Sequence, residues 1–345
     1  MPENNQTLLY QDGINLNYAA LPENIKAEVF SGANYEHIFS RHKNASFLLV
    51  RADFAVNEKT VRYLSSLKTI GLVSTGDDNI DQNFLKEKNI KFVSAKGANA
   101  QAVADYVKEA LLYFWLKYPE KQNEPVGIIG YGNIGLKVGQ FLERAKQPFF
   151  YYDPFLKNTG DVKNALKCPI VTFHVPLTFK ESNHRHATEN MLDENYFTDE
   201  PPYIIQTSRG RIWNKQFYEH CLFENKIWAQ DVYYDEPPIK EWVLSANFST
   251  PHIAGYSTNG KTGGALKVIK EILPGAAVKE IPKGEIFSLQ RESDEFKNDS
   301  RHFEKRRLSF SLKKELNDFN AAERKFFFEK FSNLPQRILT ACFNG

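Results

Sequence analysis

Short apolar runs alternate with segments of helical spacing from residue 47 onward. FLLVRA (47–52), TIGLVST (69–75) and IKFVSA (90–95) read as buried strands, and NEKTVRYLSSL (57–67) and NIDQNFLKEKN (79–89) as the helices between them. Strands that alternate with helices predict parallel βα units and a doubly wound sheet. NAQAVADYVKEALLYFWLKY (99–118) follows as a long helix, with Ala100, Val103, Ala104, Val107, Leu111 and Phe114 on one face. PEKQNEP (119–125) breaks the pattern as a polar, proline-flanked linker. A second βα series then runs through VGIIG, FFYYD, PIVTFHV, YIIQTS, KIWAQDV and NFSTPHI, and ends near LKVIKEIL and Pro274. The pattern predicts two α/β domains: residues 1–98 with 276–290 as a discontinuous domain, and 99–275 as an inserted nucleotide-binding domain. Residues 291–345 change character to charges and phenylalanines at helical spacing, which predicts a small C-terminal segment.

The 345 residues suffice for two domains with their own cores. Lys+Arg number 44 against 42 Asp+Glu, so the net charge of +2 carries no polyelectrolyte signature, and no nucleic-acid partner is expected. MPENNQTLLY lacks the basic and apolar regions of a secretory signal, and the run ALLYFWL is too short to cross a bilayer. A cytoplasmic protein with no membrane partner is the expectation. Cys168, Cys221 and Cys342 are scattered and odd in number, which argues against a disulfide framework or a cysteine-based zinc site.

The chemistry starts at GYGNIG, with Gly130, Gly132 and Gly135 between the strand VGII and a segment of helical spacing. Such a loop permits a tight turn, a close approach of backbone to a pyrophosphate, and close helix–strand packing, with Asn133 and Ile134 as further candidates for cofactor binding within it. Alone, the motif is weak evidence. Asp153 strengthens it, because it ends the next strand 18 positions beyond Gly135. A carboxylate there binds ribose hydroxyls and repels a 2′-phosphate, favouring NAD over NADP.

Three further stretches lie beyond strands of the second series: TSRG with Arg209, DVYYDEPP with Asp231 and Glu236, and TPHIAGY with His252. Oxidation of an alcohol needs a base for the hydroxyl proton, and histidine titrates near neutrality. The imidazole needs a carboxylate beside it, and a substrate carboxylate suits the fork of an arginine. Each residue alone also reads as an ordinary loop residue. The order after a dinucleotide loop is what singles them out.

From about residue 45 to 275 the chain resembles the D-isomer-specific 2-hydroxyacid dehydrogenases, through STGDDNID, GYGNIG with Asp153, FHVPLT, TSRG, DVYYDEP and TPHIAG. Within the family, KGANAQAVADYV, HIAGYSTNGKTGGA and FEKRRLSFSLKKEL are most similar to a branch that acts on a small phosphorylated 2-hydroxy acid. The resemblance implies a flavodoxin-like substrate domain, a Rossmann domain for NAD, and a homodimer formed through the C-terminal segment. It implies that Arg209 anchors the substrate carboxylate, Glu236 pairs with His252, and His252 exchanges the C2 hydroxyl proton. It places Asp231, Gly255, Val175 and Pro176 at the cofactor, and Arg51, Ala52, Ser74 and Tyr256 at the substrate. The chain departs from that branch at Ala52, where a serine is usual, at Ser74 and Val175, each in place of threonine, and at Lys313 and Lys314, in place of arginines. 3-Phosphoglycerate, glycerate and lactate therefore stay open as substrates, as does a non-catalytic NAD(H)-sensing protein.

Arg51, Lys96 and Lys261 are candidate partners for a substrate phosphate. Leu316, Phe319, Phe326, Phe327 and Phe331 fall near helical spacing, which predicts an amphipathic helix packed on a domain or a partner subunit. His184 and His186 mimic a metal pair, but nothing at suitable spacing completes a site, so no metal is expected.

Overall fold

The computed structural model describes residues 6–157, 159–180, 186–196, 202–279, 284–309 and 313–343. The chain forms two compact units, Met1–Asn99 with Ser257–Lys283, and Ala100–Tyr256 with Gly284–Gly345.

The first unit carries a five-stranded parallel sheet of β1 (Gln6–Gln11), β3 (Ile25–Phe30), β4 (Phe47–Val50), β5 (Thr69–Leu72) and β6 (Lys91–Ser94). Its order, β3-β1-β4-β5-β6, is the flavodoxin-like arrangement. A two-residue pairing of β2 (Ala19–Ala20) with β13 (Ala277–Val278) returns the chain to this unit. Inner strands such as FLLV are apolar on both sides because helices cover both faces. Leu48 and Val50 face a core with Phe30 and Phe39, whereas Leu49 faces one with Val93 and Ile269. The helices α1 (Tyr35–Arg41), α2 (Glu58–Val61), α3 (Gln82–Glu87) and α9 (Gly264–Ile272) complete the unit.

The place of α9 corrects the expected boundary at residue 275. Leu266, Val268, Ile269 and Ile272 are buried with Leu8, Leu49 and Val93, so residues 257–283 belong to the first unit. Gly71 makes the fit possible, because a Cβ there would lie 2.7 Å from Val268 Cγ1. Residue 99 also falls with the first unit, and Gly284 onward with the second.

The second unit holds six parallel strands: β7 (Val126–Ile129), β8 (Phe149–Tyr152), β9 (Ile170–Phe173), β10 (Tyr203–Gln206), β11 (Ile227–Gln230) and β12 (Phe248–Ser249). Their order is β12-β11-β10-β9-β7-β8. The chain steps from β7 outward to β8, then crosses back to pair β9 with the other side of β7. Such a reversal leaves a crevice at the carboxyl ends of the strands, where ligands of doubly wound sheets bind. The helices are α4 (Ala100–Lys117), α5 (Asn133–Arg144), α6 (Val162–Leu166), α7 (Lys215–Phe223), α8 (Lys240–Ser245), α10 (Leu289–Asn298), α11 (Phe303–Ser309), α12 (Ala321–Lys330) and α13 (Gln336–Ala341).

The C-terminal residues do not form a body of their own. They close over α4 and explain why its second face, which carries charges, is buried. Asp105, Lys108 and Glu109 are each less than a tenth exposed. Buried charges need partners. Lys108 Nζ lies 2.9 Å from Asp105, Lys330 Nζ 2.7 Å from Glu109, and the Leu316 and Leu289 amides donate to Asp105 and Glu109. Between these polar ties, Phe319, Phe327, Phe331, Ile338 and Leu339 join the core of α4 and α5. A 3-10 turn at Leu316–Asp318 precedes α12, which starts at a capping box of Asn320 and Glu323. Of the five residues expected on one helical face, Phe326 is the exception. It is 59% exposed, because within α12 it points about 100° away from the neighbouring buried Phe327, while Leu316 and Phe319 pack from the separate turn before the helix.

Phe331 is fully buried, so Phe331→Ala should cost about 3–5 kcal/mol. Denaturant titration checks this, and a cost below about 1 kcal/mol would mean that the segment is dispensable to the second unit.

Candidate active site

The glycine loop joins β7 to α5. Gly130 has φ +89°, and a Cβ there would lie 2.6 Å from the His174 carbonyl oxygen and 2.8 Å from Val175 Cγ1. This crowding sets Val175 and Pro176, after β9, against the loop. A Cβ on Gly135 would fall 2.0 Å from the Gly130 oxygen, so only glycine lets the helix start so near the turn. A Cβ on Gly132, by contrast, would meet nothing within 4 Å. That open side exposes backbone at the N-terminus of a twelve-residue helix, begun by Asn133 and Ile134, where unpaired N–H groups attract an anion. The donors, the open approach and the acid on the next strand fit a dinucleotide. Asp153 Oδ2 accepts from the Tyr131 amide at 2.9 Å and Oδ1 from the Phe155 amide at 3.0 Å, so the carboxylate ties the end of β8 to the glycine loop.

The remaining candidates of this unit sit on the loops after β10, β11 and β12. Gln206, the last residue of β10, closes the TSRG turn. Its Oε1 accepts from the Ser208 amide and hydroxyl at 3.0 and 2.8 Å, and its Nε2 donates to the Arg209 carbonyl at 3.0 Å. Gly210 follows, and a Cβ there would lie 1.8 Å from the Tyr233 oxygen. The Arg209 turn therefore lies directly on the loop that carries Asp231 and Glu236.

His252 Nδ1 is 2.8 Å from Glu236 Oε2, with the side chains 33% and 23% exposed. The other carboxylate oxygen of Glu236 accepts from the Tyr233 amide at 3.3 Å. An ionised Glu236 places the imidazole proton on Nδ1, which leaves Nε2 as the lone-pair nitrogen. His252 has φ +58°, a left-handed conformation uncommon outside glycine. Asp231 sustains it. Its Oδ1 accepts from Thr250 Oγ1 and the Ile253 amide, both at 2.7 Å, and its Oδ2 accepts from the Ala254 amide at 2.8 Å. Burial raises the Asp231 carboxyl pKa, while the nearby His252 and these hydrogen bonds oppose the rise. Gly255 and Tyr256 end the loop, and the Tyr256 amide returns to the Ile253 carbonyl at 2.9 Å.

The first unit groups its own candidates at the carboxyl ends of β4, β5 and β6. Ser74 Oγ accepts from the Ala52 amide at 2.9 Å, linking the loops after β4 and β5. Arg51 is committed to its own unit, with Nη2 3.3 Å from Asp53 and Nη1 donating to the Asp12 carbonyl. Lys96, after β6, and Lys261, before α9, are exposed.

The three thiols are buried, which pushes each pKa up to about 12 and makes them poor nucleophiles. His184 lies outside the described residues. The His186 ring sits edge-on to Phe155 at 5.3 Å. Among the described residues no three His, Cys, Asp or Glu side chains gather as a metal site.

Sequence reasoning missed Gln206, Thr250, Tyr106 and His174. Tyr106 Oη lies 2.9 Å from Thr250 Oγ1, extending the Asp231 network into α4. His174 is half-buried, with Nε2 3.1 Å from Thr172 Oγ1, and desolvation of its ring lowers its pKa to about 3, so it stays neutral. Polar residues inside otherwise apolar strand ends (TF-H, II-Q) were the signal for His174 and Gln206.

Residues 11–321 match the family model described as D-isomer specific 2-hydroxyacid dehydrogenase, catalytic domain. The chain is 32% identical over 265 residues to an erythronate-4-phosphate dehydrogenase of Tolumonas auensis, covering 69% of this chain and 70% of that one. It is 34% identical over 245 residues to the enzyme of the same name from Psychrobacter cryohalolentis, covering 63% of each, so it spans less than two thirds of that relative. Among solved structures it is similar to a 3-phosphoglycerate dehydrogenase of Entamoeba histolytica, with TM-score 0.59 and 19% identity over 78% of this chain and 96% of that chain. It is also similar to a glyoxylate/hydroxypyruvate reductase of Sinorhizobium meliloti, with TM-score 0.63 and 18% identity over 78% and 92%. These structures share the fold, while the family match spans both units. The chain belongs to the D-isomer specific 2-hydroxyacid dehydrogenase family.

Proposed function

We propose that the protein oxidises the C2 hydroxyl of 4-phospho-D-erythronate to 2-oxo-3-hydroxy-4-phosphobutanoate, with NAD as acceptor, in pyridoxal 5′-phosphate synthesis. The observation that carries the reading is the His252–Glu236 pair at 2.8 Å, on the same sheet edge as the glycine loop. The relatives named as erythronate-4-phosphate dehydrogenases support the choice of acid.

In this reading Gly130, Gly132, Asn133, Ile134 and Gly135 hold the pyrophosphate, Asp153 the adenosine ribose, and Val175, Pro176, Asp231 and Gly255 the rest of the cofactor. NAD, when bound, supplies the hydride acceptor. His252 Nε2 takes the C2 hydroxyl proton as the C2–H hydride departs, and the C–O bond becomes a carbonyl. Glu236 stabilises the imidazolium that results, and Arg209 grips the substrate carboxylate. Arg51, Ala52, Ser74 and Tyr256 are assigned to the substrate from the resemblance. A homodimer in the cytoplasm completes the proposal. It is consistent with the absence, among the described residues, of a helix long and apolar enough to cross a membrane.

Another D-2-hydroxy acid remains as a second reading because of one observation. Ala52 offers no hydroxyl, and Ser74 Oγ already accepts from the Ala52 amide, so one of its two lone pairs is taken.

NADH formation with 4-phospho-D-erythronate, 3-phosphoglycerate, D-glycerate and D-lactate, with the 2-oxo product trapped, tests the substrate. Preference for the first supports the proposal, and preference for another acid keeps the chemistry but discards the pathway. NADH binding with turnover of none points to a sensing protein. For the cofactor, Asp153→Ala should shift the NAD-over-NADP ratio of kcat/KM toward NADP by roughly tenfold or more, about 1.4 kcal/mol or more. An unchanged ratio refutes the ribose role.

A further inference from the structure

Lys313 stands at the junction of the C-terminal segment, α4 and the His252 loop. It is 2% exposed, although lysine is seldom buried without a partner. Its Nζ donates to the Ala102 carbonyl in the first turn of α4 at 2.9 Å, and lies 4.5 Å from the Phe287 ring centroid and 5.7 Å from that of Tyr106. Its backbone amide donates to the Tyr256 carbonyl at 3.0 Å. One residue thus holds the downstream end of the 250–256 loop through its main chain, and α4 through its side chain. The same α4 tyrosine reaches the upstream end of that loop, because Tyr106 Oη meets Thr250 Oγ1, which donates to Asp231. Leu316, three residues on, fixes the segment to Asp105 of α4.

We propose that Lys313 is a positioning residue for the reaction: it clamps the C-terminal segment to α4 and to the loop of His252, and so helps to hold the left-handed conformation that aims the imidazole. The inference rests on His252 being the acid–base group. It gives the C-terminal segment a role in the activity of its own subunit, apart from any role in assembly.

The charges around Lys313 make this more than packing. Asp105 and Glu109 on α4, Asp231 after β11, and Glu315 on its own segment all favour the ammonium, yet burial outweighs them and lowers its pKa to about 8. The folded chain therefore binds this proton less tightly than the unfolded chain. The charged form costs stability below pH 8, and that cost fades as pH rises from about 8 toward the ordinary 10.5. A group kept at the expense of stability where the C-terminal segment meets the His252 loop is a candidate for function. Pro251 and Lys313 both line a cavity of about 260 Å³, with Glu285, Glu292, Glu295, Arg291 and Arg306 as its charged walls.

Lys313→Met and Lys313→Arg in the full chain separate positioning from structure. Lys313→Met should speed amide exchange across residues 250–256 roughly tenfold or more and lower kcat by roughly 10–100-fold. KM for NAD should stay within about twofold, and the melting temperature should not fall. Lys313→Arg should recover most of kcat, and an alkaline limb of the rate, expected near pH 8 in the parent, should move upward because arginine stays charged. Parent-like exchange and kcat in Lys313→Met would overturn the proposal. If that variant does not fold, an alkaline limb still near pH 8 in Lys313→Arg would overturn it instead. Should the parent turn over none of the acids, the functional reading fails, and the exchange data alone decide the role of Lys313.

Discussion

The site in the second unit turns on one buried carboxylate. Asp231 is 1% exposed and accepts hydrogen bonds from the Ile253 and Ala254 amides and the Thr250 hydroxyl. Taking a carboxylate out of water costs several kcal/mol, and hydrogen bonds to a charged group return about 1.5–3 kcal/mol each. Three of them are what make an ionised Asp231 tenable there. Two of its donors are the amides directly after His252, so the arrangement that satisfies the carboxylate also sets the left-handed turn. The imidazole is then delivered to Glu236, and Glu236 fixes which nitrogen is left to react.

Packing carries that constraint outward. Thr250 reaches Tyr106 on α4, and the other face of α4 holds Asp105, Lys108 and Glu109 under the C-terminal segment. These charges would be intolerable on a helix buried by apolar side chains alone. Each finds a partner from the same helix or from the segment, while Phe327 and Phe331 fill the space between. The C-terminal residues are thus part of the nucleotide-binding unit, and loss of their packing reaches the His252 loop through only a few side chains.

How much of this was legible in the sequence follows from the range of each interaction. Buried parallel strands such as FLLV, VGII and IIQ announce themselves as apolar runs, and GYGNIG with Asp153 is a local pattern whose glycines each answer a local steric demand. The order TSRG, DEPP, TPHIAG after that loop brought out Arg209, Glu236 and His252 together. Three features stayed hidden because they depend on contacts far apart in sequence. The helix at 264–272 reads as a continuation of the second series, yet its apolar face is complementary to β5, next to a glycine that leaves room for it. The buried charges of α4 look solvated until residues 289, 316 and 330 arrive to pair with them. Asp231 was singled out for a cofactor, whereas the hydrogen bonds that make it the keystone of the His252 turn come from backbone amides, which a sequence does not display.

The proposed proton transfer at His252 is tested most directly by pairing turnover with cofactor binding in His252→Ala. With His252 as the base, kcat falls by roughly 10²–10⁴-fold while NAD affinity, measured by calorimetry, stays close to that of the parent. Turnover that survives the substitution, or turnover and NAD affinity lost in equal measure, would contradict it.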